Sequence, residues 1–380
     1  MNIIIATDSF KGSDSSLNIA KHIQTGIQKV FPDAVITKIP IADGGEGTVD
    51  ALVWSMNGTY KTADVFGPQK ERVRAKYGIL PDRTAVLEMA EASGLLKTDP
   101  AKRNAGTATT FGTGQLLIKA LDAGCRRIMI GLGGSATNDG GAGFLQAVGI
   151  SLKDNNGNEL GPGGLALENL KTIDVSGMDP RINEAEILII SDVNNPLCGK
   201  NGASEVFGPQ KGADPDMVKK LDSCLMHFAN VIKEQFGKDI SNFPGSGAAG
   251  GLGAALLAFT NSRIRPGIHA VLDAVKFDEM LKDADLVITG EGRLDSQSAQ
   301  GKAPVGVSER AKKHNVPVIA LVGEIARGVD PARLGLNAAF SILDRITDLR
   351  GAMECSGEMI ERTAEQVMRL LLIGQKMRRR

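Results

Sequence analysis

Five short segments carry carboxylate or amide side chains, four of them together with glycine, and each follows an apolar run that is typical of a β-strand. The segments span residues 8–13, 42–48, 131–141, 192–194 and 289–295. Glycine lets backbone N–H groups turn toward an anion because no Cβ stands in the way. In open α/β sheets, ligands bind outside the carboxyl ends of the strands. These segments are therefore predicted to line an anion-binding site.

The acidic side chains of these segments indicate a metal ion as well as an anion. A carboxylate repels a bare phosphate, whereas Mg²⁺ is held by one or two carboxylates together with substrate phosphates and water. Lys11, Arg293 and Lys302 are suited to neutralise the charge of a transferring phosphoryl group. Each segment by itself is typical of a structural tight turn, and the five together favour phosphoryl transfer.

The common nucleotide-binding motifs are missing from the sequence. No GxxxxGK[ST] motif occurs, and neither a protein-kinase catalytic loop nor an Asp-Phe-Gly motif is present. One GxGxxG pattern occupies residues 245–250, where it follows a Phe-Pro pair instead of a clear strand. That context favours a close-packed helix start, and a nicotinamide-dependent oxidoreductase is the weaker alternative.

Composition excludes several other classes of function. Lys+Arg and Asp+Glu are both 44, so no whole-chain basic field exists to hold nucleic acid or an anionic membrane, and aromatic residues are only 4%. No apolar stretch approaches the length of a membrane-spanning helix. The four histidines have neither metal-ligand spacing nor a neighbouring nucleophile. The four cysteines lie far apart without a CxxC pair, which indicates a reducing compartment and predicts a cytoplasmic location.

Short apolar runs alternate with helical patterns along the chain, which predicts an α/β fold. Strands are predicted at residues 3–6, 35–41, 85–89, 127–132, 187–190, 286–289, 316–322 and 339–343. Helices are predicted to begin at residues 14–16 and to cover residues 48–56, 116–121, 214–236, 248–259 and 358–373. The predicted architecture is an open, mainly parallel sheet domain formed by both chain ends, residues 1–59 and 285–380. A second, glycine-rich α/β domain, residues 60–284, is inserted into it.

The six-residue word VFGPQK occurs twice, at residues 65–70 and 206–211. Identity over six residues is rare by chance, but the residues that flank the two copies do not match. The sequence therefore predicts no internal repeat.

At these loops the sequence resembles the bacterial glycerate kinase family of the class I type, over nearly the whole chain. The motifs that carry the resemblance are IADGGEGT at 41–48, GGSATNDGGAG at 133–143, DVNNPLCGKNGA at 192–203, VFGPQKGA at 206–213, PGSGAAGGLGA at 244–254 and DLVITGEGRLDSQSAQGKAPVGV at 285–307. Together these motifs are highly specific, although several of them are individually simple glycine-rich words.

The resemblance implies transfer of the ATP γ-phosphate to a hydroxyl of D-glycerate, with Mg²⁺. It also implies two α/β domains, one inserted in the other, with the site between them. The expected product is 2-phosphoglycerate, and 3-phosphoglycerate is the alternative. A function of another class stays open, namely a non-catalytic sensor that binds a small phosphorylated organic acid.

Physical reasoning then assigns roles to residues of the five segments and to Lys302. Asp43, Asp192 and Glu291 are predicted to bind Mg²⁺ or to act as the general base. Lys11 is predicted to reach a substrate carboxylate or phosphate, and Arg293 to pair with the substrate carboxylate through its planar fork. The residues predicted to bind nucleotide or substrate are Ser9, Gly44, Gly45, Glu46, Gly133, Gly134, Ser135, Asn138, Asp139, Asp295 and Lys302.

Overall fold

The structure is a computed structural model that describes residues 1–295, 298 and 302–378. Its strands, in chain order, are β1 (Asn2–Thr7), β2 (Val35–Lys38), β3 (Thr59–Phe66), β4 (Arg72–Ile79), β5 (Thr84–Glu88), β6 (Arg127–Gly131), β7 (Ser151–Lys153), β8 (Thr172–Asp174), β9 (Glu186–Ile190), β10 (Ser262–Arg265), β11 (Leu286–Gly290), β12 (Arg293–Leu294), β13 (Val318–Val322), β14 (Glu324–Ile325) and β15 (Ala338–Ser341).

The α-helices, in chain order, are α1 (Ser16–Gln28), α2 (Thr48–Ser55), α3 (Met89–Ser93), α4 (Phe111–Asp122), α5 (Ala142–Ala147), α6 (Arg181–Glu184), α7 (Ala203–Phe207), α8 (Pro215–Phe236), α9 (Ala248–Phe259), α10 (Gly267–Ala274), α11 (Phe277–Leu281), α12 (Ala303–Lys313), α13 (Leu349–Glu354) and α14 (Ser356–Arg378). Strands and helices alternate along most of the chain, which confirms the predicted α/β class.

The chain divides into two compact units. The first unit contains Met1–Asp43, Asp50–Met56 and Pro266–Arg380, and the second contains Gly44–Val49 and Asn57–Arg265. The inserted domain was predicted to end at residue 284, whereas the second unit ends at Arg265. The border differs because α10 and α11 pack on α12, where Arg310 forms ion pairs with Asp273 and Asp278.

The first unit is built on a five-stranded parallel sheet with the order β15-β13-β11-β1-β2. Its central strands β1 and β11 are buried along almost their whole length, as expected for a parallel sheet covered on both faces. Helices α1 and α14 pack against each other, and Ile19, Ile23 and Ile360 belong to the apolar core.

The second unit is built on a six-stranded sheet with the order β10-β9-β6-β5-β4-β3. The strands β10, β9, β6 and β5 are parallel, while β3 and β4 form an antiparallel hairpin that joins β5. The sequence analysis did not predict this hairpin. Only Ala63 and Val65 are buried in β3, so its apolar pattern is too weak to indicate a strand.

The GxGxxG pattern at residues 245–250 lies at the start of α9. Residues 241–247 form turns and none of residues 237–247 belongs to a strand, so the dinucleotide fingerprint lacks the strand that it requires. A Cβ at Gly247 would overlap the Pro196 carbonyl oxygen, and a Cβ at Gly250 would overlap that of Thr137. The structure therefore agrees with the interpretation as a close-packed helix start.

Candidate active site

Two carboxylates follow neighbouring strands in the middle of the first unit's sheet. Asp8 comes directly after β1 and Glu291 directly after β11, and the Asp8 N–H donates to the Gly290 carbonyl oxygen at 2.9 Å. The chain adds β2 on one side of β1 and adds β11, β13 and β15 on the other. The carboxyl ends of β1 and β11 are thus the topological switch point of this sheet, where α/β proteins bind their ligands.

Asp8 lies in the electric field of two further acids. Burial raises the pKa of Asp8 to about 7, and the negative charges of Asp43 and Glu291 add to the increase. A hydrogen bond from the Ser9 N–H to Asp8 Oδ1, at 2.6 Å, acts in the opposite direction. Asp8 lies in the first of the five segments, but its sequence context does not distinguish it, because burial and the charges of Asp43 and Glu291 depend on residues distant in sequence.

Glu291 is held in a defined orientation by its own loop. Its side chain is only 6% exposed, and the Ser298 hydroxyl donates to Glu291 Oε1 at 2.6 Å. Burial raises the pKa of Glu291, while the Ser298 hydrogen bond and the positive charge of Lys302 lower it. The Ser298 N–H also approaches Asp295 Oδ1, at 3.3 Å. The structure therefore brings Glu291, Asp295 and Lys302 together as a group.

Arg293 and Lys11 lie on the surface of the first unit. Arg293, on β12, forms an ion pair with Glu324 of β14 at 3.4 Å, and its side chain is 60% exposed. Lys11 is exposed in a turn in which Gly12 has a φ of +80°. The next residue, Ser13, donates to the Met353 carbonyl oxygen at 2.9 Å, which anchors the turn to α13. The predicted contacts of Lys11 and Arg293 with a substrate stay predictions.

In the second unit, the glycine loop after β6 is shaped by a crossing of two backbones. The Gly133 N–H donates to the Gly44 carbonyl oxygen at 3.1 Å, and a Cβ at Gly133 would lie 2.5 Å from the Cα of Gly45. Gly44 has a φ of +88°, and a Cβ there would lie 2.6 Å from the Ile190 carbonyl oxygen. These glycines therefore permit close packing of the backbone at the carboxyl ends of β6 and β9. Their predicted contact with a ligand stays a prediction.

Asn138 and Asp139 are completely buried beneath this loop. Asp139 accepts hydrogen bonds from the N–H and the hydroxyl of Thr110, both at 2.8 Å, and from two further backbone N–H groups in the turn. Burial raises the pKa of Asp139, and those four hydrogen bonds lower it. Asn138 Nδ2 donates to the Ser204 hydroxyl at 2.8 Å. Both residues hold the loop in place, and their predicted contact with a ligand stays untested.

The remaining predicted residues of the second unit differ in exposure. Asp192 and Glu46 are exposed, and Asp192 follows Ser191 at the carboxyl end of β9. Gly134 has a φ of +73°, and its carbonyl oxygen accepts a hydrogen bond from the Leu95 N–H. Asp192 belongs to the second unit, whereas Asp43 and Glu291 belong to the first. The predicted role of each of these three residues as a Mg²⁺ ligand stays a prediction.

Lys211 is a buried cation that sequence reasoning missed. Its side chain is only 2% exposed and ends the short 3₁₀ turn Pro209–Lys211. The ammonium group donates to the Ser135 hydroxyl oxygen at 2.9 Å and to the Thr137 carbonyl oxygen at 2.7 Å. Burial lowers the pKa of Lys211 to about 7, and the negative charge of Asp139 opposes this shift. The equivalent residue of the other VFGPQK copy, Lys70, is exposed, so the motif itself carries no signal.

Two kinds of feature are absent from the residues that the structure describes. Within residues 1–295, 298 and 302–378, no group of three or more His, Cys, Asp or Glu side chains has an arrangement that could hold a metal ion. None of the helices in the same part of the chain combines the length and the apolar character needed to cross a membrane.

Comparison with known proteins gives a consistent result over the whole chain. The model of the family described as "Glycerate kinase family" matches residues 3–372. A glycerate kinase of Bacillus subtilis (strain 168) is 49% identical over 379 residues, with 99% of each chain covered. A glycerate 2-kinase of Escherichia coli (strain K12) is 47% identical over 378 residues, again with 99% of each chain covered.

A solved structure, named as glycerate kinase 2 from Salmonella typhimurium LT2, superposes with a TM-score of 0.89. Its sequence is 47% identical, and the match covers 99% of both chains. The match therefore spans both units. The chain belongs to the glycerate kinase family and is an enzyme of that activity.

Proposed function

We propose that this enzyme transfers the γ-phosphate of ATP to a hydroxyl of D-glycerate and that 2-phosphoglycerate is the product. The observation that carries the proposal is the group of acids at the switch point of the first unit, formed by Asp8, Asp43 and Glu291. The relative from Escherichia coli, which is named a glycerate 2-kinase, supports the 2-position.

One or two of these acids suit a magnesium ion by their donor chemistry. Asp8 has its pKa raised by burial and by two neighbouring negative charges, and a divalent cation relieves such repulsion. Asp43 would hold the ion, because Mg²⁺ takes one or two carboxylates and completes its shell with phosphate and water oxygens. When bound, Mg²⁺ would neutralise charge on the phosphate oxygens.

The chain's own residues supply the proton transfer in this proposal. Glu291 accepts the proton of the glycerate hydroxyl as that oxygen forms its bond to the γ-phosphorus, and the bond from phosphorus to ADP breaks. The short hydrogen bond from Ser298 to Oε1 fixes the carboxylate and leaves Oε2 for the proton. Burial, which raises the pKa of Glu291, makes it a better base than an exposed carboxylate.

A coupled assay of ADP release tests the proposal directly. Purified enzyme is incubated with ATP, D-glycerate and Mg²⁺, with a control that omits glycerate, and the position of the new phosphate is read by ³¹P NMR. We expect ADP release that depends on glycerate, with 2-phosphoglycerate as the product. Folded protein that binds phosphoglycerate tightly but neither binds ATP nor releases ADP would instead be a sensor.

The state of the cysteines supports a reducing compartment, and we propose the cytoplasm. All four thiols are free, and Cys125, Cys198 and Cys224 are buried. Burial raises the pKa of each of these three thiols, which keeps them protonated and unreactive. They act as small apolar side chains of the second unit's core.

Lys11→Met is expected to lower kcat/KM by about tenfold, which corresponds to roughly 1.4 kcal/mol of transition-state binding. The reason is that Lys11 lies in the exposed turn after β1, three residues beyond Asp8, where an ammonium group can meet an anionic substrate. Steady-state kinetics with each substrate varied in turn provide the measurement. Lys21→Met, on the exposed face of α1, is the matched control and should retain wild-type kinetics. Equal kinetics for the two variants would make Lys11 an ordinary surface lysine.

A further inference from the structure

The pairing of Lys211 with Ser135 fixes the direction of a hydroxyl group. A lysine ammonium has three N–H donors and no acceptor, so Ser135 Oγ accepts in their 2.9 Å hydrogen bond. The hydrogen of the Ser135 hydroxyl must therefore point to a different acceptor. Within the part of the chain that the structure describes, Ser135 has no acceptor for this hydrogen.

The hydroxyl is also held at a fixed place on the loop after β6. The residues on either side of Ser135 are tied to the segment after β5, because the Leu95 N–H donates to the Gly134 carbonyl oxygen and the Ala136 N–H to that of Ser93, both at 2.9 Å. Ser135 is 7% exposed, so it is close to the surface but not free in solvent. A fixed donor of this kind suits an anionic oxygen, which only accepts.

We propose that Lys211 is a positioning residue: as an ammonium group, it holds the Ser135 hydroxyl as a hydrogen-bond donor toward an anionic oxygen of a substrate. The inference rests on the proposed function, because it requires an anionic substrate at residues 133–135. Two sources have the same chemistry, the carboxylate of D-glycerate and a phosphate of ATP, and the experiment below distinguishes them.

Loss of the Lys211 proton reverses this hydrogen bond. A neutral amine can accept, so the Ser135 hydroxyl can turn its hydrogen back to Lys211 while Lys211 still donates to the Thr137 carbonyl oxygen. The substrate then loses both a donor and a nearby positive charge. Because burial lowers the pKa of Lys211 to about 7, the donor arrangement dominates below about pH 7 and is lost above it.

Burial, more than the charged groups around it, determines the pKa of Lys211. Asp139, below the loop, is the acid whose field acts on it. The backbone of Arg103 packs against Gly212, and its Nη2 donates to the Leu95 carbonyl oxygen. Glu205 on α7 is exposed, and Asp214 caps α8 by accepting from the N–H of Met217. The Asp139 charge is itself engaged in four hydrogen bonds, so burial remains the larger effect.

The test is the pH dependence of KM for each substrate, measured on the intact enzyme from about pH 6 to about pH 9 with D-glycerate, ATP and Mg²⁺. The glycerate carboxylate stays ionised over this range. We expect KM for one substrate to rise above about pH 7 by up to tenfold per pH unit, while KM for the other substrate stays flat. The substrate that responds is the one whose anionic oxygen meets Ser135.

Variants separate a positioning role from a purely structural one. Ser135→Ala should raise KM for the responding substrate by about tenfold at pH 6, as for a lost hydrogen bond to a charged group, and should abolish the rise with pH. Lys211→Met should do the same, and the double variant should be no worse than the poorer single one, because Lys211 acts through Ser135. Lys70→Met, in the exposed copy of the same six-residue word, should keep the wild-type pH profile.

Thermal unfolding of each variant shows whether it is folded. If Lys211→Met does not fold, Ser135→Ala still tests the inference, because it removes only a single oxygen atom. A Ser135→Ala enzyme with the wild-type KM, or with the wild-type rise of KM above pH 7, overturns the inference while leaving the proposed function intact. Failure of the wild-type enzyme to phosphorylate D-glycerate overturns the proposed function itself.

Discussion

Glu291→Gln is expected to lower kcat by about a hundredfold or more, within the range for loss of a general base. Glutamine keeps the size of the side chain and an oxygen for Ser298 to donate to, but it cannot accept the hydroxyl proton of glycerate. The unfolding free energy should change by no more than about 1 kcal/mol, because the Ser298 hydrogen bond survives and a buried carboxylate is replaced by a neutral amide. Saturating kinetics and chemical denaturation provide the two measurements.

A titration with Mg²⁺ distinguishes the two roles that the sequence left open for Glu291. If the residue is the base, kcat of the variant stays low at every Mg²⁺ concentration. If the residue is instead a metal ligand, the amide oxygen binds more weakly and excess Mg²⁺ restores activity. Glu354→Gln is the matched control, since it is an exposed acid of the same unit, and it should leave kcat unchanged. A Glu291→Gln protein that unfolds, with normal turnover in the folded fraction, would make the loop structural.

Local patterns were enough to predict most of the first unit's elements. The apolar run at residues 3–6 and the helix predicted to begin at residues 14–16 correspond to β1 and α1, and the N-cap residue Ser15 accepts from the Asn18 N–H. Such elements need only short-range information, because burial on one side and a capping side chain specify them. The same holds for β11, whose five residues are all buried.

Elements whose conformation depends on distant backbone were not predictable in this way. The sequence analysis predicted a regular helix over residues 248–259, yet Ala249, Gly250 and Gly251 have positive φ values and the helix is regular only after them. The cause is a close approach to Thr137 and Asn138, which are more than a hundred residues away. No local propensity reports such a contact.

The candidate site shows the same division between local and distant information. Glu291, Asp295 and Lys302 were predicted, and they are close to one another in the sequence. Asp8 and Lys211 were not selected, because their properties arise from burial and from charges that lie elsewhere in the chain. A lysine is normally solvated, so only the three-dimensional structure distinguishes Lys211 from Lys70.

The position of Asp43 depends on a glycine that the sequence analysis did not consider. Gly267 is the first residue of α10, and its Cα lies against the backbone of Asp43. A Cβ at residue 267 would overlap the Asp43 carbonyl carbon and oxygen, which are main-chain atoms and cannot rotate away as a side chain would. A larger residue at position 267 therefore fits only if the whole peptide group of Asp43 moves.

Gly267→Ala is expected to lower kcat/KM by about 10-fold to 100-fold, because displacement of a catalytic group by about 1 Å costs up to about a hundredfold. Overpacking should also lower the unfolding free energy by about 1 to 3 kcal/mol. Gly374→Ala is the matched control in the same unit: no atom lies within 4 Å of its added Cβ, and it is inside α14. That control should raise stability slightly, because alanine favours helix over glycine, and should leave kinetics unchanged. If Gly267→Ala loses stability but retains wild-type kcat/KM at a temperature where it is folded, the placement of Asp43 does not limit catalysis.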